Sequence, residues 1–230
     1  MHDIFIGENI LSRNKEIAAE NKKMLKERNI FSINMVSSPG SGKTTIIEKT
    51  IGCLKDRIKL AVIEGDIQTN LDAQRISQYN IPVKQITTGR ACHLDAHMIH
   101  HTLPWLFEQG DIQMLIIENV GNMVCPAEYA LGEDMMIAVM SVTEGDEKPL
   151  KYPAIFYASG ALLVNKTDLL TYTNFTIEKA VKNALRINPG LKIFTVSCTT
   201  GEGIKDWCDF LVDKVGQSAI IHRKDTKNAK

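Results

Sequence analysis

The chain has no excess of either charge: 27 Lys and Arg balance 27 Asp and Glu over 230 residues. Nothing in it draws nucleic acid or an anionic membrane surface by bulk attraction. Its cysteines, Cys53, Cys92, Cys125, Cys198 and Cys208, are odd in number and irregularly spaced. That is no disulfide framework, and it fits a reducing, cytoplasmic setting. The opening Met1-His2-Asp3-Ile4-Phe5-Ile6-Gly7-Glu8 lacks a basic region followed by a long apolar one, so it does not read as a signal peptide. No apolar run is long enough to span a bilayer, and no internal repeat or low-complexity block is present. What remains, 44% hydrophobic and 23% charged, is the composition of an ordinary globular protein. No domain boundary is visible, and the length suits a single sizeable α/β core over residues 1–230.

Residues 8–28 read as a charged helix. Ile10 and Leu11, Ile17 and Ala18, and Met24 and Leu25 recur every seven positions, a narrow stripe suited to lying across a core. Strands are expected at Phe31–Val36, Lys59–Ile63, Pro82–Ile86, Gln113–Glu118, Met135–Val142, Ala161–Val164 and Lys192–Val196. Helices are expected at Thr44–Lys55 and at about 71–79, 93–108 and 203–215. The polar, basic tail Arg223–Lys230 reads as frayed. Strands alternating with helices imply crossovers and a mostly parallel sheet with helices on both faces, the α/β architecture of a P-loop NTPase.

The stretch Ser37-Ser38-Pro39-Gly40-Ser41-Gly42-Lys43-Thr44-Thr45 lies between an apolar strand and a helix. That is the context of a phosphate-binding loop, whose inward N–H groups cradle a triphosphate. Gly40, Ser41 and Gly42 let the backbone approach, Lys43 reaches the terminal phosphates, and Thr44, followed by Thr45, offers its hydroxyl to Mg²⁺. The usual pattern begins with Gly, and Ser37 stands there instead.

In an open parallel sheet, ligands sit at the carboxyl ends of the strands. Asn165-Lys166-Thr167-Asp168 lies at such an end. A carboxylate there can accept from the N1–H and N2–H₂ edge of guanine, which adenine lacks. Lys166 can lie over the base, and Asn165 can tie its loop to the phosphate loop. Ser197, after the last strand, can add backbone donors to guanine O6. Asp66 and Glu118 end neighbouring strands, where they can hold Mg²⁺ or orient the attacking water; Asp66 can equally cap a helix.

A second constellation is softer. Cys92-His93 and Cys125-Pro126 both lie on loops following strands. Two thiolates and an imidazole suit Zn²⁺ or Ni²⁺, although free cysteines also serve as small buried hydrophobes. A closed site needs a further ligand from water, another side chain or a second copy of the chain. His97, His100 and His101 share a helix face with His93, either as extra ligands or as partly buried helix histidines. Cys53, Cys198 and Cys208 read as core.

The combination resembles the hydrogenase nickel-incorporation GTPases of the HypB family, from about residue 8 to 215. The resemblance rests on Ser38–Thr44, Glu64-Gly65-Asp66, Thr88-Gly89-Arg90-Ala91-Cys92-His93-Leu94-Asp95-Ala96, Glu118-Asn119-Val120-Gly121-Asn122-Met123-Val124-Cys125-Pro126, Glu144-Gly145-Asp146 and Asn165–Asp168. It implies a slow GTPase, cycling between GTP and GDP, that helps deliver Ni²⁺ to the [NiFe]-hydrogenase large-subunit precursor with a nickel-delivery partner protein. It also implies a GTP-favoured homodimer, with metal held by Cys92, His93 and Cys125 near the interface. Some members carry a Cys- or His-rich nickel-storing segment; the first 30 residues here contain no Cys and only His2.

Three other readings compete. The urease-type accessory GTPase uses a contiguous Cys-Pro-His, whereas here Cys125-Pro126 is followed by Ala127. A regulatory GTPase without a metal role normally carries D-x-x-G, whereas this chain has Glu118-x-x-Gly121. A metal buffer with a vestigial nucleotide site is opposed by the intact Lys43, Thr44, Asp66 and Asp168.

Overall fold

Alternation along the strands decides the layers. In β1 (Phe31–Ser37), Phe31, Ile33 and Met35 face one side. Leu60 and Val62 of β2 (Leu60–Asp66) and Met114 and Ile116 of β4 (Met114–Glu118) join them. The intervening Ala61, Ile63, Leu115 and Ile117 face the other side. Side chains of period two on a strand buried on both faces make β4 a nearly continuous apolar run, whereas β1 buries the polar Ser32 and Asn34 between its apolar positions.

A computed structural model describes residues 6–66, 71–89 and 91–228. Its sheet has seven strands in the order β3-β2-β4-β1-β5-β6-β7. Every pairing is parallel. The remaining strands are β3 (Val83–Thr87), β5 (Met135–Ser141), β6 (Ser159–Asn165) and β7 (Lys192–Thr195). All seven expected strands are present, within three residues at their ends.

One face is covered by α2 (Lys43–Leu54) and α8 (Ile204–Asn228). Ile46, Ile47 and Ile51 of α2 pack there with Trp207 and Leu211 of α8. The fully buried Trp207 also donates its indole N–H to Thr50 Oγ1 at 3.0 Å, pinning α8 to the helix that opens at the phosphate loop. The other face carries α1 (Ile6–Glu27) and α4 (Ala96–Phe107), then α6 (Pro153–Ala158) and α7 (Ile177–Ile187). The short α3 (Leu71–Ser77) and α5 (Lys148–Lys151) complete the helices named here.

Three differences from the sequence reading have local causes. First, α4 begins at Ala96, because the Asp95 side chain accepts from the N–H of Met98 at 2.8 Å and caps it there. His93 is therefore off the helix and shares no helical face with His97. Second, the amphipathic α7, not anticipated, supplies the crossover between β6 and β7 and buries Ala180 and Ala184. Third, α8 does not stop near 215, and its backbone runs through Asn228. Residues 229–230 of the basic tail, and His2 and Arg90, lie outside the described residues.

Of the α1 stripe, Ala18 and Leu25 are buried while Ile10 stays exposed, and two polar residues fix the position of the helix. Asn14 donates to Ala130 O at 2.9 Å and accepts from the N–H of Ala96 at 2.8 Å. Asn21 donates to Ala96 O and Leu131 O at 2.8 and 2.9 Å. Both are buried, and Asn14 so placed satisfies the Ala96 N–H, one of the donors at the start of α4 that would otherwise be orphaned.

Candidate functional site

The sheet brings the predicted nucleotide residues together at the carboxyl ends of its strands. A cleft of about 570 Å³ is lined by Gly40, Gly42, Lys43 and Thr44 of the phosphate loop and by Asp66, Glu118 and Lys166. The loop leaves β1 at Ser37 and enters α2 at Lys43. Gly42 is its N-cap with φ 94°, in the left-handed region. A Cβ there would also stand 2.5 Å from Asn165 Nδ2, which donates to Ser41 O at 3.0 Å. Two constraints thus converge on one glycine. Gly42→Ala is expected to destabilise the protein by about 1–3 kcal/mol and to weaken nucleotide binding; thermal denaturation of the two proteins checks this, and an unchanged melting temperature would refute it.

Ser37 replaces the customary glycine without conflict, because its backbone has no positive φ. Its hydroxyl accepts from Lys43 Nζ at 3.1 Å and donates to Ser38 O at 2.6 Å, so it holds the lysine head inside the loop. From outside, the buried Lys148 donates to Ser38 Oγ at 2.6 Å and to Glu144 Oε2 at 2.7 Å. Ser41 in turn donates to Glu144 Oε1 at 2.7 Å and to Ser38 O at 2.9 Å. The Glu144-Gly145-Asp146 motif was visible in the sequence; its role as a brace for the loop was not.

The Asn165-Lys166-Thr167-Asp168 segment is tied to the phosphate loop. Lys166, in the left-handed region at φ 64°, donates to Gly40 O at 2.7 Å. Asn165 is fully buried and ties the two loops together. Ser197 is different. Its backbone N–H donates to Glu202 O at 3.0 Å, so it is not offered to a base. Its hydroxyl donates to Asp168 Oδ1 at 2.6 Å, which fixes the carboxylate instead.

Acidic groups crowd the opposite wall. Thr44 Oγ1 donates to Glu118 Oε1 at 2.7 Å. Burial pushes the Glu118 carboxyl up to about 7, against the pull of Lys43 and the Thr44 hydrogen bond. Burial, then Glu118 and Asp66, push Glu64 up to about 8. Thr44, Asp66 and Glu118 offer hard oxygens, and Glu118 Oε2 is buried without a partner, so the donor set fits Mg²⁺. Arg75, on α3, closes this side. It reaches Glu48 at 2.6 Å, Asp72 at 3.1 Å and Thr45 Oγ1 at 3.2 Å.

The second constellation also assembles. Ligand atoms of Cys92, His93 and Cys125 all lie within 4.8 Å of one another. The two sulfurs are 3.4 Å apart, and Cys92 Sγ is 3.7 Å from His93 Nδ1. Burial lowers the His93 pKa, favouring the neutral imidazole a metal requires. The Cys92 thiol beside it raises Cys125, and burial adds to this. A divalent cation between the sulfurs would reverse that effect. Cys92 is exposed, so the group opens outward.

His97, His100 and His101 do not join it. His97 and His101 face each other with Nε2 atoms 3.0 Å apart, and His100 Nδ1 meets Asn21 Oδ1 at 2.9 Å. Cys198 and Cys208 are buried and Cys53 packs against the same core, as expected.

Asn119, named in the sequence without a role, joins the two constellations. Its Oδ1 accepts from the N–H of Leu94 at 3.0 Å, and its Nδ2 donates to Asn34 Oδ1 on β1 at 3.2 Å. Leu94 is wedged against Gly65, where a Cβ would meet it at 2.7 Å. Farther along, Gly121 admits Pro39 of the phosphate loop, 3.0 Å from where its Cβ would stand. Asn122 then donates to Cys92 O at 3.2 Å.

Comparison with known proteins agrees with this architecture. The model of the CobW/HypB/UreG nucleotide-binding domain matches residues 31–195. Hydrogenase maturation factor HypB of Azotobacter vinelandii is 49% identical over 204 residues, covering 88% of this chain and 66% of that protein. HypB of Escherichia coli strain K12 is 48% identical over 202 residues, covering 88% and 69%. The chain thus spans about two thirds of the length of these curated relatives. The crystal structure of HypB from Helicobacter pylori in complex with nickel superposes with a TM-score of 0.85 at 40% identity, covering 89% of this chain and 96% of that one. Fold, motif order and these identities together make the chain a member of the HypB family of hydrogenase maturation factors, within the CobW/HypB/UreG group.

Proposed function

We propose that the chain is a GTP-hydrolysing nickel metallochaperone that acts in the cytoplasm during [NiFe]-hydrogenase maturation. One observation carries the reading. The segment after Glu118 runs past the phosphate loop at Gly121 and ends on Cys125, which meets Cys92 and His93, with Asn119 fastened to the neighbour of His93.

In this reading the N–H groups of Gly40, Ser41, Gly42, Thr44 and Thr45 hold the phosphates at the N-terminus of α2. Lys43 neutralises the terminal phosphates. Mg²⁺, held by Thr44, Asp66 and Glu118, supplies positive charge to the same oxygens. Asp66 and Glu118 also orient the attacking water. Asp168 reads guanine, with Ser197 holding its carboxylate and Asn165 and Lys166 locking the base loop to the phosphate loop. Nickel is cargo, taken by Cys92, His93 and Cys125 from a delivery partner and passed to the hydrogenase large-subunit precursor; Zn²⁺ suits the same donors. The outward opening at Cys92 fits a GTP-favoured homodimer in which two such half-sites face each other.

The test is equilibrium dialysis of Ni²⁺ and Zn²⁺ with protein in the nucleotide-free, GDP and non-hydrolysable GTP-analogue states, with mass followed by sedimentation. Nickel affinity is expected to change between states by a factor of about 5–150, with the dimer strongest in the GTP-analogue state. Cys125→Ala is expected to lose nickel while keeping its metal-free GTP affinity. Equal metal affinity and equal mass in all three states would sink the coupling.

A further inference from the structure

We infer that Glu64 and Glu118 form a two-carboxylate seat for a hard divalent cation, built into the cleft before any nucleotide arrives. This adds Glu64 to the cation-holding residues, and it rests on the reading of the cleft as the nucleotide site.

The backbone sets up the pair. Strands β2 and β4 are adjacent and parallel, and Glu64 is the register partner of Glu118. Register partners on neighbouring strands project to the same face. Both carboxyl groups line the cleft beside Lys43 and Thr44. Both are almost wholly buried, at 2% and 3% exposure. Each nevertheless keeps one oxygen, Oε2, without a hydrogen-bond partner. Thr44 serves only Glu118 Oε1. Lys43, the nearest cation of the loop, donates to Ser37.

Two buried carboxylates side by side repel each other, and each strongly disfavours losing its water. A divalent cation between them offsets both costs. Oxygen-only donors select Mg²⁺ or Mn²⁺ over a thiophilic ion. The chain then carries two cation sites of opposite chemistry. Hard ions go to Glu64 and Glu118, and borderline ions go to Cys92, His93 and Cys125, so cargo and cofactor do not compete.

The test uses Mn²⁺ as a paramagnetic probe on the full chain without nucleotide, reading free Mn²⁺ by electron paramagnetic resonance. Wild type is expected to take up one Mn²⁺. Glu64→Gln is expected to weaken that binding about 10–100-fold while keeping the circular dichroism spectrum of wild type. Cys125→Ala should bind Mn²⁺ unchanged. A readout independent of any variant is the wild-type melting temperature, which Mn²⁺ alone should raise. No Mn²⁺ uptake and no thermal shift in wild type, or Glu64→Gln binding Mn²⁺ as tightly as wild type, overturns the inference. Failure of wild type to bind a fluorescent GDP analogue would instead overturn the nucleotide reading on which it rests.

Discussion

Lys43→Ala is expected to abolish measurable GTP turnover and to leave the fold intact. The lysine head lies inside the phosphate loop, 3.1 Å from Ser37 Oγ, and takes no part in the hydrophobic clusters. Hydrolysis spreads charge over the oxygens of the transferred phosphoryl group, and a cation fixed in a low-dielectric cleft is worth far more there than in water. Losing one such preorganised contact costs about 100–1000-fold in rate. Applied to the slow hydrolysis proposed above, that puts turnover below detection. A second effect acts in the same direction. Lys43 is the main group holding the Glu118 carboxyl down against burial, so its removal leaves Glu118 more protonated. Phosphate release with Mg²⁺ present, alongside circular dichroism, makes the measurement. Full activity in the folded variant would remove the loop from the chemistry.

Asp168→Ala is expected to erase most of the preference for GTP over ATP. The carboxylate sits on the turn Thr167–Tyr172, oriented by the 2.6 Å hydrogen bond from Ser197. It is placed by Asn165, whose side chain is locked to the phosphate loop. Each hydrogen bond from a base edge to a carboxylate is worth about 1.5–3 kcal/mol, so the loss is tenfold or more in GTP affinity. ATP, with no donors at that edge, should bind the variant no worse than wild type, since the carboxylate no longer has to be desolvated. Competition between the two nucleotides for a fluorescent analogue decides it. Equal affinities in the wild-type protein would end the guanine assignment.

Much of this was legible in the sequence because the relevant interactions are local. The seven strands announced themselves as short apolar runs ended by polar residues. The phosphate loop lies within nine consecutive residues, and its strand and helix flank it directly. Cys92, His93 and Cys125 were picked out by donor chemistry and by falling on loops after strands. What went wrong locally was cap chemistry. The helix read from His93 starts at Ala96, because Asp95 takes the capping position and leaves His93 free to turn toward Cys92. The sequence reading also passed over α7, although its apolar positions recur at helical spacing.

The sequence by itself determined the fold class and the phosphate loop, which depend on residue type at short spacing, and it singled out Asn165–Asp168, Cys92, His93 and Cys125 as candidates by their chemistry. Only the tertiary structure decided how they are connected. Strand order placed β4 beside both β1 and β2, which set Glu118 in register with Glu64 and sent the segment that follows it past Pro39 toward Cys92. It also turned Asn119 into a bridge to Leu94, diverted the Ser197 N–H to Glu202, and set Lys148 and Glu144 behind the phosphate loop. These contacts join residues far apart in the chain. Spacing carries no information about them, because which strand ends meet is fixed by how the two faces of the sheet bury their side chains.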